Sequence, residues 1–257
     1  MELVNYLVSN RICYITLNRP EKKNALSFEL VTKLKDAFKK AEEDELVKVI
    51  VLKANGDAFC AGADLAYLQQ LQTNSLAENL EDSNHLKELF LQVYTLKKVV
   101  IAQVQGHALA GGCGLATVCD VVFSAPAANF GYTEVRIGFV PAIVMAFLVR
   151  KIGEGKAKFL LLSGEVINAH QALELGLINN VVPVENLVDS VNQFASMLVK
   201  NNSAQSMETV KKMIFEIQSL NLHDALSYAS TKNAEARLTQ DCKNGISAFL
   251  NKSRPSW

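Results

Sequence analysis

The sequence contains no long apolar run and few residues of the kinds that crosslink or bind metals. No stretch of the 257 residues approaches the roughly 18 consecutive apolar residues of a membrane span, and no basic segment followed by an apolar one opens the chain. The five cysteines form no Cys-x-x-Cys pair, and the four histidines show no metal-ligand spacing. We therefore expect a soluble, cytoplasmic protein with neither a disulfide framework nor a metal site.

An excess of charge of either sign is also missing. Lys and Arg together number 26, and so do Asp and Glu, so the formal net charge is zero. Such a chain has no field that steers nucleic acid or an anionic membrane toward it. Lys33, Lys35, Lys39 and Lys40 lie along one predicted helix, but acidic residues interrupt and follow them. We interpret this helix face as solvated and expect neither nucleic acid nor membrane as a partner.

Length and hydrophobic periodicity predict an α/β core followed by a helical tail. The chain is long enough to bury a sizeable core. Alternating or apolar runs predict strands at 2–9, 11–17 and 47–53. Residues 69–83 are polar without a clear period, which favours a mobile lid or an ordinary surface loop. Residues 185–251 show almost only helical periodicity.

The most unusual stretch is the glycine-rich segment at residues 106–115, GHALAGGCGL, which follows an apolar run. It has no Gly-Lys-Ser/Thr ending of a P-loop, Thr117 replaces the third small residue of a dinucleotide fingerprint, and no Gly-x-Ser-x-Gly elbow occurs. The segment is either a tightly packed strand-to-helix turn or a site where backbone N–H groups bind an oxyanion. A similar small-residue turn at 54–65 follows another apolar run, which suggests that both turns face one ligand.

Glu134 is the candidate proton-transfer residue, since its neighbours are mostly aromatic and aliphatic. A carboxyl group held among such side chains has its pKa raised toward the range useful for acid–base catalysis. The alternative is an ion pair at the surface, with Arg136 or with another cation. The local sequence leaves both interpretations open.

Taken together, the motifs resemble the crotonase superfamily, the enoyl-CoA hydratase/isomerase group. Each motif alone is weak, but their order from about residue 3 to the end of the chain is highly specific. The matching elements are Leu17-Asn18-Arg19-Pro20, Asn24-Ala25-Leu26, residues 59–65, residues 106–115, Cys119-Asp120, Phe130-Gly131 with Glu134 and Gly138, Ser163-Gly164 with Ala169 and Ala172, Gly176-Leu177-Ile178, and Phe249-Leu250-Asn251-Lys252.

The resemblance implies a fold and a mode of assembly. The fold is an α/β spiral of repeated ββα units with two roughly perpendicular sheets, which we assign to residues 1–190. Residues 191–257 then form a C-terminal helical region that mediates homotrimers and often dimers of trimers. The implied substrate is an acyl-CoA thioester. No cofactor is expected, because coenzyme A is part of the substrate.

The resemblance also implies the site residues. The N–H groups of Ala63 and Gly111 hold the thioester oxygen as it becomes an enolate-like oxyanion, and Glu134 acts as acid and base. No metal takes part. The residues that match coenzyme A contacts of the family are Lys23, Ala25, Ala61, Asp64, Leu65 and Lys252.

One departure from the family concerns the reaction. Two-glutamate hydratases carry a first glutamate where this chain has Gly114, and residues 142–146 replace a common Gly-Gly-Thr pattern. With Glu134 alone, we expect isomerisation or hydration of an enoyl-CoA. The alternatives are a crotonase-fold decarboxylase or hydrolase, and a non-catalytic homologue that binds acyl-CoA or RNA.

Overall fold

The computed structural model describes residues 2–257 and contains two β-sheets surrounded by helices; Met1, the first residue of the predicted core, lies outside the described residues. The strands are β1 (Val4–Ser9), β2 (Ile12–Leu17), β3 (Val49–Ala54), β4 (Ala58–Cys60), β5 (Val99–Val104), β6 (His107–Leu109), β7 (Val121–Ser124), β8 (Asn129–Gly131), β9 (Val166–Asn168) and β10 (Asn180–Val181).

The helices form most of the rest of the chain. They are α1 (Phe28–Glu43), α2 (Leu65–Leu71), α3 (Leu76–Thr95), α4 (Gly111–Thr117), α5 (Ala142–Ile152), α6 (Glu154–Ser163), α7 (Ala169–Leu175), α8 (Val184–Asn201), α9 (Ala204–Ile217), α10 (Leu222–Leu238) and α11 (Gln240–Leu250), with short 3₁₀ helices at Pro20–Lys22 and Glu134–Ile137. Within residues 2–257, no helix combines the length and the apolar character needed to cross a bilayer.

In successive pairs of strands, the first strand lies in one sheet and the second in the other. The large sheet has the order β1-β2-β3-β5-β7-β10 and the small sheet β4-β6-β8-β9. Three successive units consist of one strand in the large sheet, one strand in the small sheet and a helix. They are β3-β4-α2, β5-β6-α4 and β7-β8 with the Glu134–Ile137 helix. This repetition confirms the two-sheet ββα architecture that the resemblance implies. Because β4, β6 and β8 are parallel neighbours, the segments that follow them leave the same edge of the small sheet.

The two faces of the large sheet are covered by different helices. Buried side chains of α1 and α3, such as Leu34, Phe38 and Phe90, pack in the main core. The other face is covered by α8, whose Leu187 and Leu198 are buried against the sheet. The helix α8 runs through residue 190, where we place the boundary between the core and the C-terminal region, and it packs on the sheet on both sides of that residue. The division of the chain into these two regions stays a prediction. The helices α9 to α11, which have no buried residues, follow α8.

The prediction of an irregular loop at residues 69–83 is wrong over most of its length. The segment contains the end of α2 and the first turns of α3. Ser75 starts α3 with a capping box, in which its side chain accepts from the N–H of Glu78 and the Glu78 carboxylate accepts from the N–H of Ser75. The first buried residue of α3 is Leu89, so the preceding turns carry no apolar periodicity.

Candidate active site

The turns after β4 and β6 lie against each other because these strands are parallel neighbours in the small sheet. Gly62 adopts φ +91°, and a Cβ atom there would lie 2.8 Å from the Cβ of Ala110 and 3.4 Å from the N of Gly111. Only glycine allows this approach at a positive φ. The two small-residue turns that we expected to face one ligand are therefore in contact.

The N–H groups of Ala63 and Gly111 have no hydrogen-bond acceptor within residues 2–257, whereas the backbone on both sides of Ala63 is bonded. The Leu26 N–H donates to the Gly62 carbonyl at 2.7 Å, and the Asp64 N–H donates to the Leu26 carbonyl at 2.9 Å. These two bonds hold the backbone on both sides of Ala63. Gly111 is the first residue of α4, where an N–H has no partner in its own helix. Two free donors on adjoining turns form an arrangement that can bind an oxyanion.

The turn before α4 is held in an uncommon conformation. Ala110 has φ 50° and ψ −126°, although it is not glycine, and its N–H donates to the Gly131 carbonyl at 2.7 Å. Such a backbone costs about 1–3 kcal/mol and persists only where the surroundings enforce it. Gly112 contributes to this constraint, since a Cβ there would lie 2.1 Å from the carbonyl oxygen of Cys60.

Glu134 begins the short helix after β8 and is partly buried. Its Oε2 atom is buried without a hydrogen-bond partner, and within residues 2–257 its carboxylate forms no ion pair. Burial raises the pKa of Glu134, and a hydrogen bond from its own backbone offsets only part of that effect. The predicted alternative, a surface ion pair with Arg136, is thus not formed. A carboxyl group in this state is suited to accept and return a proton.

A buried hydrogen bond links the Glu134 segment to α4. The Tyr132 hydroxyl and the Thr117 hydroxyl are 2.7 Å apart, and Thr117 also donates to the Cys113 carbonyl at 2.9 Å. Tyr132 is fully buried and lies two residues before Glu134. Sequence reasoning did not identify this pair, since neither residue has a local signal for a contact so far along the chain.

Four of the six predicted coenzyme A contacts lie on two adjoining loops, and a fifth, Leu65, is the first residue of α2. Ala61 donates its N–H to the carbonyl of Lys23 at 3.0 Å, and the Lys23 side chain is exposed. Ala25 is buried in the same loop, and Leu65 is exposed at the start of α2. Asp64 is bonded within the protein, because its side chain pairs with Arg19 and caps α2. Their contacts with coenzyme A remain predictions.

Lys252 is not brought to these loops by any contact within residues 2–257. It follows α11, and its exposed side chain forms no hydrogen bond or ion pair with the residues that the structure describes. The chain end instead contacts the opposite end of β2, where Arg11 donates to the Trp257 carbonyl at 2.7 Å. The Trp257 indole donates to the Asn201 carbonyl at 2.9 Å.

The two departures from the family pattern, at Gly114 and at residues 142–146, are in contact in the structure through Gly114 and Val144. A Cβ atom on Gly114 would lie 2.2 Å from Cγ1 and 3.0 Å from Cβ of Val144, and 3.5 Å from the Phe90 ring. Val144 is buried in the first turn of α5. The volume that a first glutamate would enter is therefore filled by a valine.

Comparison with known proteins agrees with this geometry. The family model for enoyl-CoA hydratase/isomerase matches residues 8–257. A Thermus thermophilus protein with the name "Putative enoyl-CoA hydratase" is 40% identical over 244 residues, which are 95% of this chain and 96% of that one. The crotonyl-CoA hydratase of Syntrophomonas wolfei is 33% identical, over 96% of this chain and 94% of its own. The crystal structure of an enoyl-CoA hydratase from Mycobacterium smegmatis aligns with a TM-score of 0.93 at 31% identity, covering 100% of this chain and 99% of that one.

Proposed function

Because the chain belongs to the enoyl-CoA hydratase/isomerase family, we propose that it moves the double bond of a 3-enoyl-CoA thioester into conjugation, with Glu134 as the single acid and base. The observation that carries this proposal is the partly buried carboxylate of Glu134, which forms no ion pair within residues 2–257 and whose Oε2 has no hydrogen-bond partner there. Gly114 supplies no second carboxylate, and isomerisation requires only one.

The proposed reaction transfers one proton from carbon 2 to carbon 4. The Glu134 carboxylate removes the proton from carbon 2, and the electron pair of that bond forms an enolate with the thioester carbonyl. The enolate oxygen accepts hydrogen bonds from the N–H groups of Ala63 and Gly111. Glu134 then delivers the proton to carbon 4 while the double bond forms between carbons 2 and 3. Donors of this kind contribute roughly 3 kcal/mol each to transition-state stabilisation.

Hydration of a 2-enoyl-CoA is the second candidate. It is supported by the relatives named as hydratases, including the 2,3-dehydroadipyl-CoA hydratase of Escherichia coli, which is 34% identical. In this reaction Glu134 activates a water molecule whose oxygen bonds to carbon 3, and carbon 2 receives a proton. Isomerisation is preferred because hydration in this site lacks the carboxylate that Gly114 replaces.

The experiment offers the purified protein 3-enoyl-CoA and 2-enoyl-CoA thioesters separately. Isomerisation is measured as a gain in the absorbance of the conjugated thioester, and hydration as its loss. We expect the first activity to exceed the second, and Glu134→Gln to lower it by about 10²–10⁴-fold. Glu174→Gln, an exposed glutamate on α7, is the matched control. Full turnover in Glu134→Gln would show that another group is the base, and product masses would reveal decarboxylation or hydrolysis.

The exposed apolar side chains of the C-terminal helices support the proposed homotrimer. Ile214, Leu226, Phe249 and Leu250 are each more than half exposed. Large apolar side chains that are exposed in one chain are covered where several of them meet a partner, as at interaction surfaces. Sedimentation equilibrium should give a mass of three chains or of six; the mass of one chain contradicts this assignment.

A further inference from the structure

The first turn of α5 closes the space beside the first turns of α4. Val144 is 4% exposed, and its methyl group occupies the position at which a substituent on Gly114 would begin. Gly114 lies three residues after Gly111, and residues at this spacing share one side of a helix. The apolar wall made by Val144 therefore lies one helical turn from a proposed oxyanion donor.

The same part of α4 is bonded to the segment that carries Glu134. The hydroxyl of Tyr132, two residues before Glu134, lies 2.7 Å from the hydroxyl of Thr117, and Thr117 donates to the Cys113 carbonyl at 2.9 Å. Cys113 directly precedes Gly114. In addition, only residues 138–141 separate the Glu134–Ile137 helix from α5, which carries Val144. The segments that carry Glu134, Gly114 and Val144 are thus joined by one hydrogen bond, one close contact and one short connection.

We infer that Val144 determines the specificity of the reaction, by keeping water and any second proton-transfer group out of the space beside Gly114. This inference rests on the proposed function, since it explains why the enoyl group is isomerised and not hydrated. Hydration needs a water molecule whose oxygen attacks carbon 3 and whose proton is accepted by a base. A water needs two or more polar partners to occupy an enclosed site, and the methyl groups of Val144 offer none.

Two measurements on Val144→Ala test the inference. The first is the ratio of the hydration rate to the isomerisation rate. We expect this ratio to rise by about tenfold once water can enter, which is less than the usual contribution of general acid–base catalysis to a rate. The second is isomerisation in D₂O, followed by the product's mass. If Val144 excludes water, the proton on Glu134 is shielded in the wild type, and we expect carbon 4 to receive mostly protium. In Val144→Ala the same product carries more deuterium.

Val149→Ala is the matched control, because Val149 lies on the same helix with its side chain 37% exposed. It should change neither measurement. If Val144→Ala does not fold, Val144→Thr keeps the shape of valine and replaces one methyl group with a hydroxyl group that can bind water. It should move both measurements in the same direction. An unchanged ratio together with unchanged deuterium content overturns the role of Val144. Absence of isomerisation in the wild type overturns the proposed function itself, so the two failures are distinguishable.

Discussion

The Arg19 guanidinium and the Asp64 carboxylate form an ion pair of 2.7 Å that joins the loop after β2 to the start of α2. Burial on its own raises the pKa of Asp64, but the Arg19 hydrogen bond and the N–H groups of Tyr67 and Ala66 outweigh it, so the pKa is lowered. Asp64 directly follows Ala63. The ion pair therefore fixes the backbone that presents a proposed oxyanion donor.

We predict that Asp64→Asn lowers kcat more than it raises KM. Asparagine still caps α2, but it leaves Arg19 without its charged partner. A lost hydrogen bond to a charged group costs about 1.5–3 kcal/mol of stability. Steady-state kinetics and thermal unfolding measure the two effects. Because the pKa of Asp64 is lowered, the wild-type advantage in stability should shrink as the pH falls through that pKa.

Glu154→Gln is the control for this prediction. It breaks an ion pair between Glu154 and Lys158 that is exposed on α6. Exposed pairs contribute about 0–1 kcal/mol, so both stability and kcat should stay near their wild-type values. Equal losses in the two variants would mean that the Arg19–Asp64 pair has no particular role in the site.

Tyr132→Phe tests whether the Tyr132–Thr117 hydrogen bond positions Glu134. The variant loses the bond of 2.7 Å between α4 and the segment that carries Glu134. We expect a loss of about 1 kcal/mol in unfolding free energy and a fall in kcat with little change in KM. Tyr14→Phe removes a comparable hydrogen bond, to Asn192 at 2.9 Å, on the α8 side of the large sheet. It should reduce stability but not kcat; a similar fall in kcat in both variants contradicts a positioning role.

The parts of the fold that the sequence predicts are those with local signals. Ser27 caps α1, where its side chain accepts from the N–H of Leu30, and a serine directly before an apolar helical period is such a local signal. The glycine-containing turns at Ala63 and Gly111 could be identified because small residues follow apolar runs. The division into two sheets has no such signal: β4 and β6 contain three residues each, too few to show a period. That feature came from the resemblance to a family.

The contacts that define the site chemically could not be predicted from local sequence. Tyr132 and Thr117 are 15 residues apart, and either could have packed elsewhere in the core. Gly114 and Val144 were two separate departures from a family pattern until the packing of α4 against α5 brought them together. Only the folded chain shows that a glycine and a valine occupy the volume of one larger side chain.

Glu134→Gln should stabilise the protein at neutral pH. Burial raises the pKa of Glu134 in the folded state, so the wild type loses stability as the pH rises through that pKa, whereas glutamine does not titrate. Thermal unfolding at about pH 4 and about pH 8, on either side of the titration of a glutamate with a raised pKa, should show the variant's advantage only at the higher pH.

The activity of the wild type should follow the same titration with the opposite sign. Glu134 must be ionised to remove a proton, so kcat/KM for isomerisation should fall as the pH drops through the raised pKa. An acid limb at the pKa of an ordinary glutamate, together with equal stability of wild type and Glu134→Gln at both pH values, contradicts the burial of a charged carboxylate at this position.

Gly114→Ala should destabilise the protein, although alanine in a helix interior ordinarily adds about 0.5–1 kcal/mol relative to glycine. The added Cβ would lie 2.2 Å from Cγ1 of Val144, and overpacking of this kind costs about 1–3 kcal/mol. In the double variant Gly114→Ala with Val144→Ala, the contact between the new Cβ and Cγ1 of residue 144 disappears. The contact of 3.0 Å with the Cβ of residue 144 remains. The two substitutions together should therefore cost less than the sum of their separate effects, by about 0.5–3 kcal/mol.

Gly155→Ala is the matched control for this cycle, because Gly155 lies in α6 and a Cβ atom there would meet no atom within 4 Å outside its own stretch of helix. It should stabilise the protein by about 0.5–1 kcal/mol. Denaturant unfolding of the four proteins of the cycle and of this control gives the free energies. Additive losses at Gly114 and Val144 would mean that the two residues do not share one volume, and the assignment of Val144 as the residue that closes the space beside Gly114 would then be wrong.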